Sequence, residues 1–481
     1  MPYTDLQAFL EDLEKRRELR RIGALLDPFL EISAVTDRVS KSFGPALLFT
    51  NPKNGHFPVL TNAFGSYLRM HLALGVDCLD DVGIDIKTFF EVEKPDSLFK
   101  KIKLIPKLTR FSNAFPKEVD KAPCHDVVFT GDKVDLSLLP ILTSWPGDAG
   151  PFITLPLVIT KNPETGMRNV GMYRMQVFNK NTTGMHWHCH KGGAYHYYLA
   201  ERHNQRLEVA VALGPDPVTT YAATAPLPDE MDEFLFAGFL RHSPVDLVRC
   251  KTVDLLVPAH SQFILEGYVE PNERRREGPF GDHTGYYSQA DDYPVFHVIA
   301  LTHRKDAIYP TTIVGPPPME DCYMGKATER IFLPIIKKQL PEVVDMNLPM
   351  EGVFHNLCFV SIDKRFPGQA RKVMYALWGL GQMMFTKIIV IVDKGVDVQN
   401  TSEVLWRLGN NVDPRRDLVI LEGPLDALDH ASPLAFFGGK LGIDATKKTP
   451  EDGHYREWPE SLTMSHEVKQ RIEHLWPKLG L

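Results

Sequence analysis

Leu6, Phe9, Leu10 and Leu13 recur at helical spacing, and Thr4 and Gln7 ahead of them form a capping box, so the chain is expected to open on a helix. A second helical pattern covers 30–42, apolar runs at 46–50 and 58–61 read as strands, and another helical stretch follows at 67–74. Together they predict a small α/β unit. Beyond a Lys-rich, Pro-containing stretch at 100–121 the pattern shortens to that of strands. Runs at 152–160, 170–178, 209–213, 254–257, 263–269, 296–302 and 308–314, broken by Gly and Pro, predict a barrel or sandwich. One helix, at 229–240, interrupts them. Gly315 and three prolines then punctuate the chain, and a long helix at 320–339 leads into a third region. There, buried strands at 357–362, 387–392 and 418–421 alternate with helices at 368–380 and 402–408. That order predicts a βαβαβ arrangement with a parallel sheet. From His430 onward the chain reads as loop, ending in a helix at 466–475.

Composition narrows the class. A chain of 481 residues has room for roughly three domains, and 43% apolar with 24% charged residues is ordinary for a soluble globular protein. The net charge of -7, with no basic tail or stripe, argues against nucleic acid as a partner. Six cysteines without a CxxC pair argue against a zinc ribbon and a secreted disulfide scaffold, and suit a reducing cytosol. The charged N-terminus has no signal-peptide core, and no apolar run reaches the length of a membrane span. A cytoplasmic protein is expected, with peripheral membrane contact left open.

Four segments carry candidate chemistry. The first is Glu277-Gly-Pro-Phe-Gly-Asp-His-Thr-Gly-Tyr-Tyr287, two carboxylates five residues apart on a turn stiffened by Pro279 and loosened by three glycines. Paired acids push each other's pKa apart, which would let one hold a proton near neutrality; a solvated surface turn is the plainer reading. The second is Met185-His-Trp-His-Cys-His-Lys-Gly-Gly193. On a strand His186, His188 and His190 would share one face for a metal or anion, with Lys191 and Gly192 beside it for a phosphate; a solvent-facing or core histidine strand is the alternative. In the third, 168–176, Arg174 lies among apolar residues and needs an anionic partner unless it faces water. In the fourth, Glu233 is one of several acids opening a helix, where acids complement the helix dipole. A GxSxG elbow, a GxxxxGK[ST] loop, HExxH and a Rossmann GxGxxG are all absent.

In order along the chain, Gly-Pro-Ala-Leu-Leu-Phe (44–49), Asn-Val-Gly-Met-Tyr-Arg (169–174), His190-Lys-Gly-Gly193, Phe236-Ala-Gly-Phe-Leu-Arg, the 277–287 turn and Gly442-Ile-Asp-Ala-Thr-Lys resemble the UbiD family of decarboxylases over nearly the whole length. The resemblance implies an α+β / α/β multidomain fold. An N-terminal α/β region (1–115) would precede a split β-barrel-like domain binding prenylated FMN (116–318). A linker helix (319–342), a C-terminal α/β oligomerisation domain with a mainly parallel sheet (343–445) and a tail with a helix (446–481) would follow. It implies prenylated FMN contacted by Met172, Tyr173, Arg174, His186, Trp187, His188, Lys191 and Gly192. Its phosphate would be bridged by Mn²⁺ on Asn169, His190 and Glu233, with K⁺ nearby. The implied catalytic network is Arg174, Glu277 and Asp282, with Asp282 as proton donor. Non-oxidative loss of CO₂ from an aromatic or α,β-unsaturated carboxylic acid needs such an electron-sink cofactor. The expected substrate is a quinone precursor, a 3-polyprenyl-4-hydroxybenzoate or a dihydroxynaphthoate. A degradative aryl or acrylic acid decarboxylase is the alternative; further off stand a flavin oxidoreductase and a metal- and flavin-binding protein without lyase activity. A flavin prenyltransferase would supply the cofactor, and a homodimer or homohexamer is expected. Asn169 and Arg174 stand an odd number of residues apart, so a bulge at Gly171, or Asn169 lying before the strand, is expected.

Overall fold

The alternating runs in the middle of the chain pair into an antiparallel sheet of seven strands, and the functional residues are mounted on it. The computed structural model describes residues 3–90, 114–188, 190–228 and 231–480; 100–113 of the Lys-rich stretch, Cys189 and the first two residues of the helix expected at 229–240 lie outside these. From one edge the strands run Thr182–Gly184, Asp291–His303, Phe263–Glu277, Leu207–Leu213, Pro156–Lys161 and Arg168–Met172, with Val127–Thr130 paired to the end of Asp291–His303. Successive side chains point to opposite faces. Leu157, Ile159, Ala210, Ala212 and Ile264 join a core with Phe234 and Phe236 of the helix Glu233–Arg241 and with the N-terminal helices. Val158, Val209, Val211, Phe263 and Leu265 join another with Tyr173, Trp187, Tyr197 and Phe296. Burial on both faces makes these strands read as nearly continuous apolar runs. The sheet does not return on itself, and no sheet among the described residues closes, so the barrel-like closure expected is not seen.

The N-terminal helix Leu6–Lys15 forms as its spacing predicts, but Asp5, not Thr4, caps it: Asp5 Oδ1 accepts the Ala8 N–H at 2.9 Å. Glu31–Lys41 and Tyr67–Leu74 are helices, and Ala46–Phe49 and Val59–Thr61 are strands. A strand the pattern did not show, Leu19–Ile22, lies parallel to Ala46–Phe49. The run at 308–314, expected among the central strands, instead supplies Tyr309–Pro310 as the fourth strand of this N-terminal sheet. The run at 254–257 leaves the central sheet too, since Leu256–Pro258 pairs with Asp246–Arg249.

Past the helix Glu320–Gln339, a five-stranded sheet carries three parallel strands, Leu357–Ile362, Ile388–Asp393 and Phe437–Asp444. The third parallel strand is therefore not the one expected. Leu418–Pro424 is an antiparallel edge strand against Phe437–Asp444, in a stretch read as loop. Residues 425–436 join Leu418–Pro424 to Phe437–Asp444, and this connection brings Leu428 to the central sheet's site.

Candidate active site

The acidic motif is the tip of the longest hairpin. Phe263–Glu277 and Asp291–His303 run side by side to Glu277↔Asp291, and beyond them Phe280–Gly281 pairs with Tyr287–Ser288. The tightest part of the tip is closed by Gly285 N–H donating to Asp282 O at 2.9 Å, with Gly285 at φ 80°, where a side chain would be strained. The segment aims its two carboxylates inward, and both are buried: Glu277 is 1% exposed and Asp282 7%.

Arg174 meets them from just past the end of the edge strand Arg168–Met172. Its Nε donates to Glu277 Oε1 at 3.2 Å, its Nη2 to Ser288 Oγ at 3.1 Å, and its Nη1 to Asp282 Oδ2. The guanidinium also lies over the Phe280 ring, 4.8 Å from its centre. The expected geometry of its strand is corrected here. Asn169 sits in Arg168–Met172 in unbroken register with Pro156–Lys161, so there is no bulge at Gly171. The strand ends at Met172 and resumes only at Met175–Gln176, and this break lets Met172, Tyr173 and Arg174 all face one cavity. Tyr173 folds back over Gly171, where a Cβ would stand 2.2 Å from its hydroxyl.

The charge pattern differs from an acid pair sharing a proton. Burial works to raise the Asp282 pKa, but the Arg174 charge and the His283 hydrogen bond outweigh it and hold the carboxyl well below the usual range. Without a bound acid, Asp282 is a carboxylate.

His186 joins the network, its Nδ1 2.7 Å from Glu277 Oε1 and its Nε2 2.7 Å from His188 Nε2. Burial, then the Arg174 charge, keeps His186 neutral, and burial and His186 push His188 down to about 3. The strand Thr182–Gly184 has ended before these residues, so their shared side comes from irregular extended chain. Gly184 makes room for Glu277: a Cβ there would lie 2.6 Å from Oε2, which is buried without a hydrogen-bond partner. Trp187 turns away into the core, with a Cβ on Gly193 falling 2.6 Å from its indole nitrogen.

A helix the sequence did not reveal, Gly192–Arg202, starts at the cavity with Lys191 as its N-cap residue. Lys191 lines the cavity, and its ammonium makes no ion pair or side-chain hydrogen bond among the described residues; burial lowers its pKa. An unpaired cation at a helix N-terminus suits a phosphate. Beside it Asn169 Nδ2 donates to Glu233 Oε1 at 3.0 Å, and Val170 N–H to Oε2 at 3.0 Å. Asp232 caps the helix Glu233–Arg241, which frees Glu233 from that role. Burial pushes the Glu233 carboxyl up to about 8, a donor that a divalent cation would return to its charged form. Asn169 and Glu233 are thus brought together. His190 makes no hydrogen bond to either among the described residues; its ring packs on Phe385 with centres 4.7 Å apart.

The cavity of about 240 Å³ is lined by Met172, Tyr173, Arg174, His186, His188 and Lys191 on one side and by Phe280, Asp282, His283, Val314 and Leu428 on the other. Leu428 comes from the connection between Leu418–Pro424 and Phe437–Asp444. His283, Ser288, Leu428, Asp321 and Asp426 were not singled out from the sequence; His283 and Ser288 lie in or beside the acidic motif, while the others carried no local signal.

Residues 117–317 match the family model described as UbiD, 3-octaprenyl-4-hydroxybenzoate carboxy-lyase Rift-related domain, 322–445 its C-terminal domain and 10–83 its N-terminal domain. A relative from Aquifex aeolicus (strain VF5), described as an uncharacterized protein, is 54% identical over 100% of this chain and 99% of its own. The closed form of Sedimentibacter hydroxybenzoicus vanillic acid decarboxylase superposes with a TM-score of 0.85 at 29% identity, covering 100% of this chain and 99% of that one. The UbiD-class enzyme HmfF from Pelotomaculum thermopropionicum in complex with FMN gives 0.81 at 29% identity, over 97% of this chain and 98% of that one. An evolved dimeric form of HmfF is in complex with prFMN.

Proposed function

The chain belongs to the UbiD family of carboxy-lyases, and from that premise we propose that the cavity at the hairpin tip is where it decarboxylates an aromatic carboxylic acid with prenylated FMN. The observation that carries the reading is one guanidinium, facing the cavity, that bridges two buried carboxylates.

Arg174 is the group to receive the substrate carboxylate, because its fork matches two oxygens at once. An arriving carboxylate competes with Asp282 for that charge, and weakening the Arg174–Asp282 pair raises the proton affinity of Asp282. Substrate binding thereby prepares the acid that the ligand-free site lacks. Cleavage of the C–C bond leaves an electron pair on carbon, for which prenylated FMN, when bound, supplies the electron sink. Asp282 gives its proton to that carbon. Glu277, steadied by His186, keeps the guanidinium in place, and Phe280, Val314 and Leu428 wall the ring from water.

For the cofactor, Lys191 and the first amides of Gly192–Arg202 would meet the phosphate. Asn169 and Glu233 would hold a divalent cation, Mn²⁺ by expectation, which neutralises phosphate charge. His190 would join as third ligand only by leaving Phe385. K⁺ is proposed as a second cation.

The substrate is proposed to be a quinone precursor, a 3-polyprenyl-4-hydroxybenzoate or a dihydroxynaphthoate. The second reading, a degradative aryl acid decarboxylase, is supported by the likeness to vanillic acid decarboxylase. Protein coexpressed with a flavin prenyltransferase should release CO₂ from one of these acids. Cofactor-loaded protein that decarboxylates none of them, or that instead oxidises NAD(P)H, would overturn the reading. A homodimer or homohexamer is expected by sedimentation.

A further inference from the structure

Asp282 has a second neighbour, on the side away from Arg174. His283 folds back on the same tight turn, so that its Nδ1 lies 3.0 Å from Asp282 Oδ1, which also accepts the His283 backbone N–H at 2.8 Å. The other ring nitrogen, Nε2, lies 2.8 Å from Nε2 of His355, carried by the segment before the strand Leu357–Ile362. Two imidazole nitrogens at that distance share one hydrogen, so one ring donates and the other accepts. Phe354 packs against His283 with ring centres 5.4 Å apart. The result is a line of carboxylate, imidazole and imidazole running from the cavity wall into the junction between the central and C-terminal sheets.

We propose that His283 is the proton store of the site: it holds a proton at Nδ1 that passes to Asp282 in each turnover, while His355 accepts the hydrogen on Nε2 and so fixes which nitrogen faces the carboxylate. The inference rests on the decarboxylase reading. Turning a carboxylate into CO₂ and a C–H bond consumes one proton, and Asp282 does not hold one in the ligand-free site. In the transfer the His283 Nδ1–H bond breaks and an O–H bond forms on Asp282, leaving a neutral imidazole with its hydrogen on Nε2. The Asp282 O–H bond then breaks as the product C–H bond forms, and a solvent proton returns to Nδ1.

The surrounding charges place the cation on the right ring. Burial alone would lower the His283 pKa, but the Asp282 hydrogen bond and charge, with Asp321 at the start of Glu320–Gln339 and Asp426 after Leu418–Pro424, raise it. His355 faces His283, Asp426 and Lys191; burial, then the His283 charge, pushes it down to about 4, which leaves it neutral and able to accept. The Asn356 side chain beside the His355 ring works to raise its pKa, as Asp426 does, and both are outweighed.

Two measurements test this. In ¹⁵N-histidine NMR of the protein without cofactor, one imidazolium, identified by its loss in His283→Gln, should persist above pH of about 7, where an ordinary histidine is neutral. It should titrate lower in Asp282→Asn. A His283 that is neutral through the ordinary histidine range overturns the proposal. In the cofactor-loaded enzyme, His283→Gln should lower kcat by about 10²-fold, the low end for general acid catalysis, with KM and metal content kept. Wild-type rate should fall as pH rises through the raised His283 pKa, and that limb should vanish in His283→Gln and move to lower pH in His355→Phe. A rate lowered equally at every pH, with the limb retained, would show a structural role only and overturn it. Should the wild type decarboxylate no acid, the functional reading fails by itself, while the NMR result still locates the proton.

Discussion

Arg174 stands between two carboxylates that are nearly sealed from water, and its charge decides how Asp282 titrates. Arg174→Met would leave both without their counter-charge, a loss of about 3–5 kcal/mol at neutral pH for a broken buried pair, readable by urea denaturation. The pH dependence follows from the depressed Asp282 pKa. In the wild type its stabilisation is present above the unfolded value of about 4 and is lost as pH falls through the depressed one. The gap between wild type and Arg174→Met should therefore narrow in acid. Asp282→Asn should keep cofactor binding, seen by absorbance, and abolish CO₂ release; full activity would remove it as proton donor. Glu233→Gln should lose the metal by elemental analysis, since Asn169 and Val170 would be left facing a neutral amide. At this scale Arg174, Glu277 and Asp282 were legible as motifs. The charge state of Asp282 was not, because the spacing of the two acids says nothing about an arginine arriving from the break between Arg168–Met172 and Met175–Gln176.

Elements were legible where one period dominates. Tyr67–Leu74 and His466–Leu475 form over the residues their spacing marked, and Leu357–Ile362 is the strand its apolar run predicts. The helix Gly192–Arg202 was hidden because it opens on two glycines and lacks a capping Ser, Thr, Asp or Asn. Tertiary packing overrides that weak propensity: His196, Tyr197, Leu199 and Ala200 are buried, and the His196 ring bonds Thr160 Oγ1 at 2.8 Å. Its first glycine is there for space. A Cβ on Gly192 would fall 2.7–3.0 Å from the Asn169 side chain. Gly192→Ala is therefore expected to displace Asn169 and cut flavin and metal retention several-fold, measured by absorbance and elemental analysis. Folding stability should change by about 1 kcal/mol or less, because alanine is the better helix former.

Across the whole molecule the site depends on contacts between distant regions. The helix Glu320–Gln339 is fixed to the C-terminal sheet through Lys326, whose ammonium donates to Glu329 at 2.6 Å and Asn347 at 2.5 Å; Glu329 also accepts the Leu348 N–H at 2.5 Å. Lys326→Met would take the closer of two cations from Glu329, a carboxylate 2% exposed that keeps Arg330 at 3.3 Å. A loss of about 1.5–3 kcal/mol is expected by thermal or urea denaturation, and a change under 1 kcal/mol would mean that the network is not holding the helix to the C-terminal sheet. No helix among the described residues is long and apolar enough to cross a membrane. Period and punctuation in the sequence were enough for the α/β beginning, the β-rich middle, the hairpin tip with its two acids and, through the order of its motifs, the family. Strand partners were beyond it, because Tyr309–Pro310 completes the N-terminal sheet and Phe437–Asp444 takes the third parallel place only once distant segments meet. So was the charge on each acid and histidine, since that depends on which groups lie within a few ångströms in a dry interior, and chain neighbours alone do not set it.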